Sequence, residues 1–279
     1  QMCFRLQGTL DVEMLKHTWQ QVSEQHSILR TVFVWQDLPQ PLQVVLRQPT
    51  TSWHIEDWRS QASETQAEKL TALLQRDREA GFELSEASPM RLTLIQLADE
   101  RYEIIWSFHH ILIDGWSLQL LFRDVFTLYE GLYRGKPLEL GNPRPYRDYV
   151  AWLSTQDIAK AATFWTPLLQ GFRKPTPLKY DKKPPHVAPD HRIQTLSLGD
   201  AGTATLQTLA QRSHLTLNTL VQAVWALLLG YISGEQDIVF GATAAGRPHD
   251  LAEADTIIGV FINSLPVRVQ LSSDMPMVT

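Results

Sequence analysis

Cysteine is almost missing: Cys3 is the single one in 279 residues. That excludes an internal disulfide framework and, with no Cys/His ladder, a structural zinc site. A reducing, cytoplasmic setting is expected. A dominant charge is missing too, since 25 Lys+Arg stand against 30 Asp+Glu for a net charge of -5. No concentrated basic stripe grips a phosphate backbone, so nucleic acid is not an expected partner. No uninterrupted apolar run reaches the roughly 20 residues that a membrane span needs. The longest candidate, 220–232, is interrupted by Gln222 and Gly230 and has a helical period, so no membrane partner is expected. The opening QMCFRLQGTLD lacks the basic region and long apolar block of a signal peptide. It reads as a strand entered midway, as in a chain cut upstream. What is present is apolar: 44% of the residues are hydrophobic, enough for a substantial core in one large domain or two smaller ones.

Residues 3–6 read as a short strand, and from Asp11 the residues Val12, Leu15, Trp19 and Val22 recur at the helical period. Runs at 31–35 and 42–46, separated by a Pro-containing turn, predict a hairpin. The charged stretch 61–78 predicts a helix, and 90–97 and 102–108, joined by the turn ADER, a second hairpin. In the last strand Tyr102, Ile104, Trp106 and Phe108 alternate with Glu103, Ile105 and Ser107. Continued, this alternation places His110 on the first face and His109 on the other. After Asp114 and Gly115 the period changes, and Leu118, Leu121, Phe122, Val125 and Leu128 mark a helix ending near Gly135.

A Pro-rich connector at 136–145 leads to two helical stretches, PYRDYVAWLSTQ and AKAATFWTPLLQG. A loop dense in proline and basic residues follows at 171–192, then a strand at 193–198. Next comes a helix starting just after Thr216, with Leu217, Leu220, Val221, Val224 and Leu228 as its apolar stripe. Two strands, DIVFGATAAG and GVFINSLPVRVQL, close the chain. No solenoid repeat is present. Strands and helices mixed without strict βαβ alternation predict an α+β fold.

The stretch that carries chemistry is SFHHILIDGWSLQLLF, residues 107–122. Three readings fit its paired imidazoles and nearby carboxylate. As metal ligands, neighbours on a strand point apart and chelate poorly, and no further Cys or His cluster completes a shell. As structure, they are histidines hydrogen-bonded at a strand end. As catalysis, His110 is a base, because imidazole titrates near neutrality, with Asp114 locking the loop. No Gly-x-Ser-x-Gly elbow or other protein nucleophile accompanies the pair, so a reaction here would be direct transfer between two bound substrates.

The same stretch resembles the HHxxxDGWS motif of condensation domains in nonribosomal peptide synthetases, matched by His109, His110, Asp114, Gly115, Trp116 and Ser117. Four more stretches stand in family order. QHSILRTVF (25–33) resembles RHxxLRTxF, YRDYVAWL (146–153) resembles YxDYAxWQ, VFGATAAGRP (239–248) resembles a strand ending in Gly-Arg-Pro, and IGVFINSLPVR (258–268) resembles IGxFxNTLPxR. Gln25 stands where the family opens its motif with arginine, and Ser264 where threonine is usual.

The resemblance implies a chloramphenicol acetyltransferase-like fold of two similar lobes, 1–157 and a partial second lobe 158–279, with a tunnel between them. A fragment lacking both ends is expected. The implied activity is amide formation, an acyl transfer in which a carrier-bound amine attacks a carrier-bound thioester. Donor and acceptor peptidyl carrier domains and the module's adenylation domain are the implied partners. No metal or dedicated cofactor is implied, since substrates arrive on phosphopantetheine arms. By resemblance His110 is the base or positioner of the amine, and His109 scaffold. Asp114 is an ion-pair partner of Arg247, or alternatively of Arg30. Gly115, Trp116, Ser117, Asn263 and Ser264 are tunnel or substrate-binding candidates; Gly115 permits a tight turn and close approach of an arm, while Trp116 packs. Tyr146, Asp148 and Trp152 are structural, and Cys3 belongs to the core. A non-catalytic docking platform and an epimerising or starter-acylating domain are the alternatives.

Overall fold

The computed structural model describes residues 1–48, 51–136, 138–178 and 194–272. It divides into two units: Gln1–Gln156 with Ala245–Ile262, and Asp157–Ala244 with Asn263–Thr279. The break at 156/157 lies beside the expected one, but 245–262 belongs with the first unit and not with a single block 158–279.

The first unit is built on a four-stranded sheet in the order β1 (Met2–Gln7), β6 (Arg101–Phe108), β5 (Met90–Ala98), β4 (Ser52–Asp57), with β4 parallel to β5 and the other pairs antiparallel. Helices α1 (Val12–Gln25) and α3 (Gly115–Tyr133) cover one face and α2 (Ser63–Ala80) the other. Period-2 alternation assigns the side chains. Leu92, Leu94, Ile104 and Trp106 pack with Leu15, Trp19 and Val22 of α1 and Leu121 and Val125 of α3. Ile95, Leu97 and Ile105 face Trp58 and the α2 leucines Leu70, Leu73 and Leu74. Both faces being covered explains why β5 and β6 read as nearly continuous apolar runs.

Charge is admitted to this core only in pairs. Glu103, buried in β6, meets Arg5, its facing residue on β1, at 3.1 Å. His26, just past α1, reaches Asp124 of α3 at 2.9 Å with both side chains under a tenth exposed. This pair fixes α1 against α3 and explains the histidine of QHSILRTVF. Gln25, in place of the family arginine, gives its amide N–H groups to the carbonyls of Leu140 and Gly141. Arg30 donates to the carbonyls of Glu24 and Leu46, tying the hairpin of β2 (Thr31–Val34) and β3 (Leu42–Val45) to α1.

The connector leads to α4 (Tyr146–Ser154). In the second unit lie α5 (Ile158–Leu168), α6 (Gly199–Arg212), α7 (Leu217–Ser233) and an antiparallel ribbon of β7 (Asp237–Ala244) and β8 (Asn263–Gln270). Thr216 caps α7 as its position predicts, its hydroxyl accepting the Thr219 N–H at 3.1 Å. Arg268 grips Asp237 through Nε and Nη2 at 2.8 and 2.6 Å, and its Nη1 donates to the carbonyls of Leu168 and Gln170 at 2.9 and 2.8 Å.

Three expectations are corrected. The strand at 193–198 is absent over 194–198, which is irregular and exposed; residue 193 and most of the predicted basic loop, 179–192, lie outside the described residues. The closing strand begins only at Asn263, because 259–262 pairs with no strand among the described residues and spends its backbone groups on side chains of the first unit. Cys3 is exposed on β1, not in the core, since odd residues of that strand face outward. Among the described residues, no single helix is long and apolar enough to cross a membrane.

Burial alone would raise the Asp124 carboxyl, but hydrogen bonds from His26 and Arg123 hold it below its ordinary value. A depressed carboxylate stabilises the fold above its unfolded value of about 3.9 and loses that contribution as pH falls through the folded value. Asp124→Asn is therefore expected to lower the melting temperature at about pH 7, with the gap from the parent protein closing below about pH 4. Thermal unfolding across that pH range checks it.

Candidate active site

β6 stops at Phe108, opposite Met90, where the ladder meets Pro89. Proline has no N–H to give, so pairing cannot continue, and its carbonyl instead accepts the His109 N–H at 2.9 Å. His109 and His110 thus lie past the strand, in a turn closed by the Leu112 N–H on the His109 carbonyl at 3.0 Å. The pleat therefore does not assign them to opposite faces, contrary to what alternation predicts. His110 nonetheless continues the row of Trp106 and Phe108 by contact, its ring edge-to-face with Phe108 at 5.5 Å.

Both histidines are exposed, and the turn sets them in opposite tautomers. His110 Nδ1 lies 3.1 Å from the carbonyl of Ile113. A carbonyl only accepts, so Nδ1 carries the hydrogen and the neutral ring keeps its lone pair at Nε2. His109 Nδ1 accepts the Ile111 N–H at 3.0 Å, which puts the hydrogen of its neutral form on Nε2. The free base of the pair is Nε2 of His110.

Leu112 and Ile113 are fully buried and lock the turn to the core. Asp114, 1% exposed, then caps α3: Oδ1 accepts the Ser117 N–H at 2.9 Å, and Oδ2 accepts the Phe261 N–H at 2.9 Å. Arg247 Nη2 stands 3.7 Å from Oδ1, an ion pair without a direct hydrogen bond. Of the two expected partners the structure selects Arg247. Arg30 is committed to carbonyls around the hairpin and does not reach Asp114.

Asp114 thus holds the segment 245–262 directly through one backbone N–H, that of Phe261, while the Arg247 charge stands at 3.7 Å. The Ser117 hydroxyl adds a clamp, donating to the Gly259 carbonyl at 2.7 Å and accepting from the Gly259 N–H at 3.0 Å and Arg247 Nη2 at 3.2 Å. Arg247 also donates to the carbonyls of Ala254 and Ile257, and its guanidinium lies 4.1 Å over the Phe261 ring. Burial pushes this guanidinium below its ordinary value, while Asp114 works in the opposite direction.

The YRDYVAWL helix completes the cradle. Tyr146 donates its hydroxyl to the Val260 carbonyl at 2.6 Å, burial raising its phenol well above the ordinary value. Trp152 donates to Asp250 at 3.3 Å, and Arg144, paired with Asp148 at 2.9 Å, gives an N–H to the Ala252 carbonyl at 2.7 Å. Tyr149, Leu251, Ile257 and Phe261 form the small core between α4 and the segment. Two glycines make this packing possible. A Cβ on Gly246, which has φ +66°, would lie 1.8 Å from the Phe261 carbonyl oxygen, and one on Gly259 would lie 1.9 Å from the Tyr146 ring.

Three further expectations change. Gly115 is not required by a tight turn: its φ is ordinary, and a Cβ there would meet nothing within 4 Å, so the space in front of it is open. Ser117 is fully buried with its hydroxyl occupied, which makes it a clamp and not a substrate contact. Trp116 is 52% exposed, so the packing expected of it is partial: its ring lies 5.7 Å from the Arg247 guanidinium, and its N–H goes to the Asp255 carbonyl at 3.2 Å. Asn263 and Ser264 open β8 in the second unit, paired with Ala244 and Thr243. Sequence reasoning missed the Phe261 N–H and the Ser117 clamp. The available signal was Asp-Gly-Trp-Ser before a helical stripe, the pattern of an N-cap.

A strand-to-helix turn bearing an oriented imidazole, braced from behind by an aspartate, joins an α+β fold of the chloramphenicol acetyltransferase type. The first condensation domain of the calcium-dependent antibiotic synthetase, solved with a substrate analogue, superimposes with a TM-score of 0.78 at 20% identity, covering 99% of this chain and 65% of that one. The X-domain from teicoplanin biosynthesis gives a TM-score of 0.79 at 29% identity, over 99% of this chain and 61% of that one. The condensation domain profile matches residues 1–277, and the chain belongs to the condensation domains of nonribosomal peptide synthetases. Chondramide synthase cmdD of Chondromyces crocatus is 37% identical over 97% of this chain, which spans only 7% of that protein. Bacitracin synthase 3 of Bacillus licheniformis is 33% identical over 98% of this chain, which spans 4% of it. The relatives are large peptide synthetases, of which this chain matches one small part.

Asp114→Ala is expected to cost about 3–5 kcal/mol, because it strands two buried N–H groups and an arginine. Gly246→Ala is expected to cost about 2–4 kcal/mol from the clash and the left-handed backbone. Urea unfolding of each variant checks both, and unchanged midpoints would show that the brace carries no stability.

Proposed function

We propose that this condensation domain makes an amide bond. The α-amine of an acceptor on one carrier domain attacks the thioester carbonyl of a donor on another. The N–C bond forms, the C–S bond breaks, and the proton lost by the amine ends on the departing thiol. The observation that supports this most is the His110 imidazole, exposed, with Nδ1 occupied by Ile113 and Nε2 left basic.

Holding the reactants accounts for more of the rate than the proton does. An α-amine titrates near about 7.7–8.0, so much of it is already nucleophilic at neutral pH. A general base supplies about 10²–10⁴-fold, or roughly 3–5 kcal/mol, whereas fixing two reactants in place supplies up to about 7–11 kcal/mol. His110 serves both ends if its Nε2 accepts a hydrogen bond from the amine before taking its proton. In this reading the open space at Gly115 admits a phosphopantetheine arm, and no metal or dedicated cofactor takes part. Donor and acceptor carriers and an adenylation domain of the same module supply the substrates, in the cytoplasm.

A second reading, a docking platform without chemistry, has one observation in its favour: the teicoplanin X-domain, similar in fold, has been solved in complex with OxyB. The intact His109 and His110 favour catalysis over docking. An epimerising or starter-acylating role uses the same turn and differs in the product formed.

His110→Ala is expected to slow single-turnover transfer by about 10²-fold or more, followed by intact mass spectrometry of the acceptor carrier gaining the acyl unit. Unchanged transfer would reject the assignment, and an unaltered acceptor mass in the parent protein would favour docking. Gly115→Val is expected to leave the melting temperature within about 2 °C, since its side chain enters open space, while raising the apparent KM for a loaded carrier. Calorimetry and the same transfer assay check the two halves.

A further inference from the structure

His110 is held in its own plane by one hydrogen bond, from Nδ1–H to the Ile113 carbonyl at 3.1 Å. A single bond of this kind leaves the imidazole free to swing about the line joining Nδ1 to its acceptor. That swing is what would carry Nε2 away from a substrate. The second restraint is aromatic. The Phe108 ring meets the imidazole at 83° with centroids 5.5 Å apart, an edge-to-face contact.

Phe108 is itself fixed. Its ring lies 4.4 Å from that of Trp106, which is fully buried and contacts Trp19 at 5.3 Å and Phe122 at 5.6 Å. Trp19 belongs to α1 and Phe122 to α3. A row of rings therefore runs from both helices that cover the sheet, through Trp106 and Phe108, to the exposed imidazole. The His109 ring has no aromatic contact of this kind among the described residues; its side chain is held by the Nδ1 bond to the Ile111 N–H.

Resting on the reading that His110 meets the amine, we infer that Phe108 is a positioning residue for the reaction: it sets the direction of His110 Nε2 and keeps the ring in the Nδ1–H tautomer. Its effect passes through His110 and needs no contact with substrate. A positioning error of about 1 Å in such a group costs up to about 10²-fold in rate.

The test compares Phe108→Leu, which keeps apolar bulk, with Phe108→Tyr, which keeps the ring. Two readouts are taken on the full chain. The first is the imidazole nitrogen spectrum by NMR in ¹⁵N-labelled protein, with His109 as an internal control. Phe108→Leu is expected to turn the single Nδ1–H form of His110 into a mixture of tautomers while leaving His109 in its Nε2–H form. Phe108→Tyr is expected to preserve both. The second is amide transfer between loaded carriers, where Phe108→Leu is expected to lower kcat about tenfold with KM for either carrier unchanged, and Phe108→Tyr to stay within about twofold.

An unchanged His110 spectrum in Phe108→Leu overturns the inference, as does a spectrum in which His109 and His110 change together, because that reports general loosening of the turn. If Phe108→Leu scrambles only His110 while His110→Ala transfers at the parent rate, the catalytic reading fails and the positioning of the ring by Phe108 stands.

Discussion

The carboxylate of Asp114 is the constraint on which the rest depends. Its two oxygens accept N–H groups from residues 117 and 261, so one side chain both starts α3 and receives the strand-like end of the 245–262 segment. Without it the first turn of α3 would expose an unpaired donor inside the core, and the segment would lose its deepest anchor. The arginine that completes the group stands outside direct hydrogen-bond range of the carboxylate at 3.7 Å and does most of its bonding to carbonyls. The charge of Arg247 balances Asp114, while the geometry comes from backbone donors. That division suits a buried site, where a carboxylate left with unsatisfied lone pairs would be costly.

Seen from this anchor, the scattered motifs have one location. The Asp114 turn, the α4 helix with Tyr146 and Trp152, the glycine of Gly246-Arg247-Pro248 and Gly259 all meet around residues 246–261. Each contributes what the others lack. Tyr146 and Ser117 satisfy backbone groups of the segment, the aromatic rings of Tyr149 and Phe261 fill its apolar side, and the glycines let backbone and ring approach where a methyl group would not fit. The His26 pair between α1 and α3 is a separate support, holding the helices that back the sheet.

Much of this was legible in the sequence because period and punctuation were strong there. The α1 and α3 stripes, the ADER turn and Thr216 before α7 each carry a local signal that tertiary packing reinforces. What failed were places where the local signal was weak or another partner took over. β4 reads SWHIED, a mostly polar edge strand whose partner β5 lies more than thirty residues on, and α6 reads GDAGTATLQTLAQR, with small residues and two glycines where a stripe should be. Residues 194–198 have strand-like composition but pair with no strand among the described residues, and 259–262 has the same composition but is claimed by side chains. The histidines were correctly placed at a strand end. Their facing could not be read by counting, because Pro89, just before β5, ends the ladder at Phe108.

The opposite tautomers of the two imidazoles bear on how charge arrives at the turn. Since His110 already donates from Nδ1 to a fixed carbonyl, taking a proton at Nε2 requires no ring flip and no exchange of hydrogens. The dipole that stabilises the resulting imidazolium is in place beforehand. In the proposed reaction, that arrangement asks for little rearrangement of the turn when Nε2 accepts a hydrogen bond or a proton.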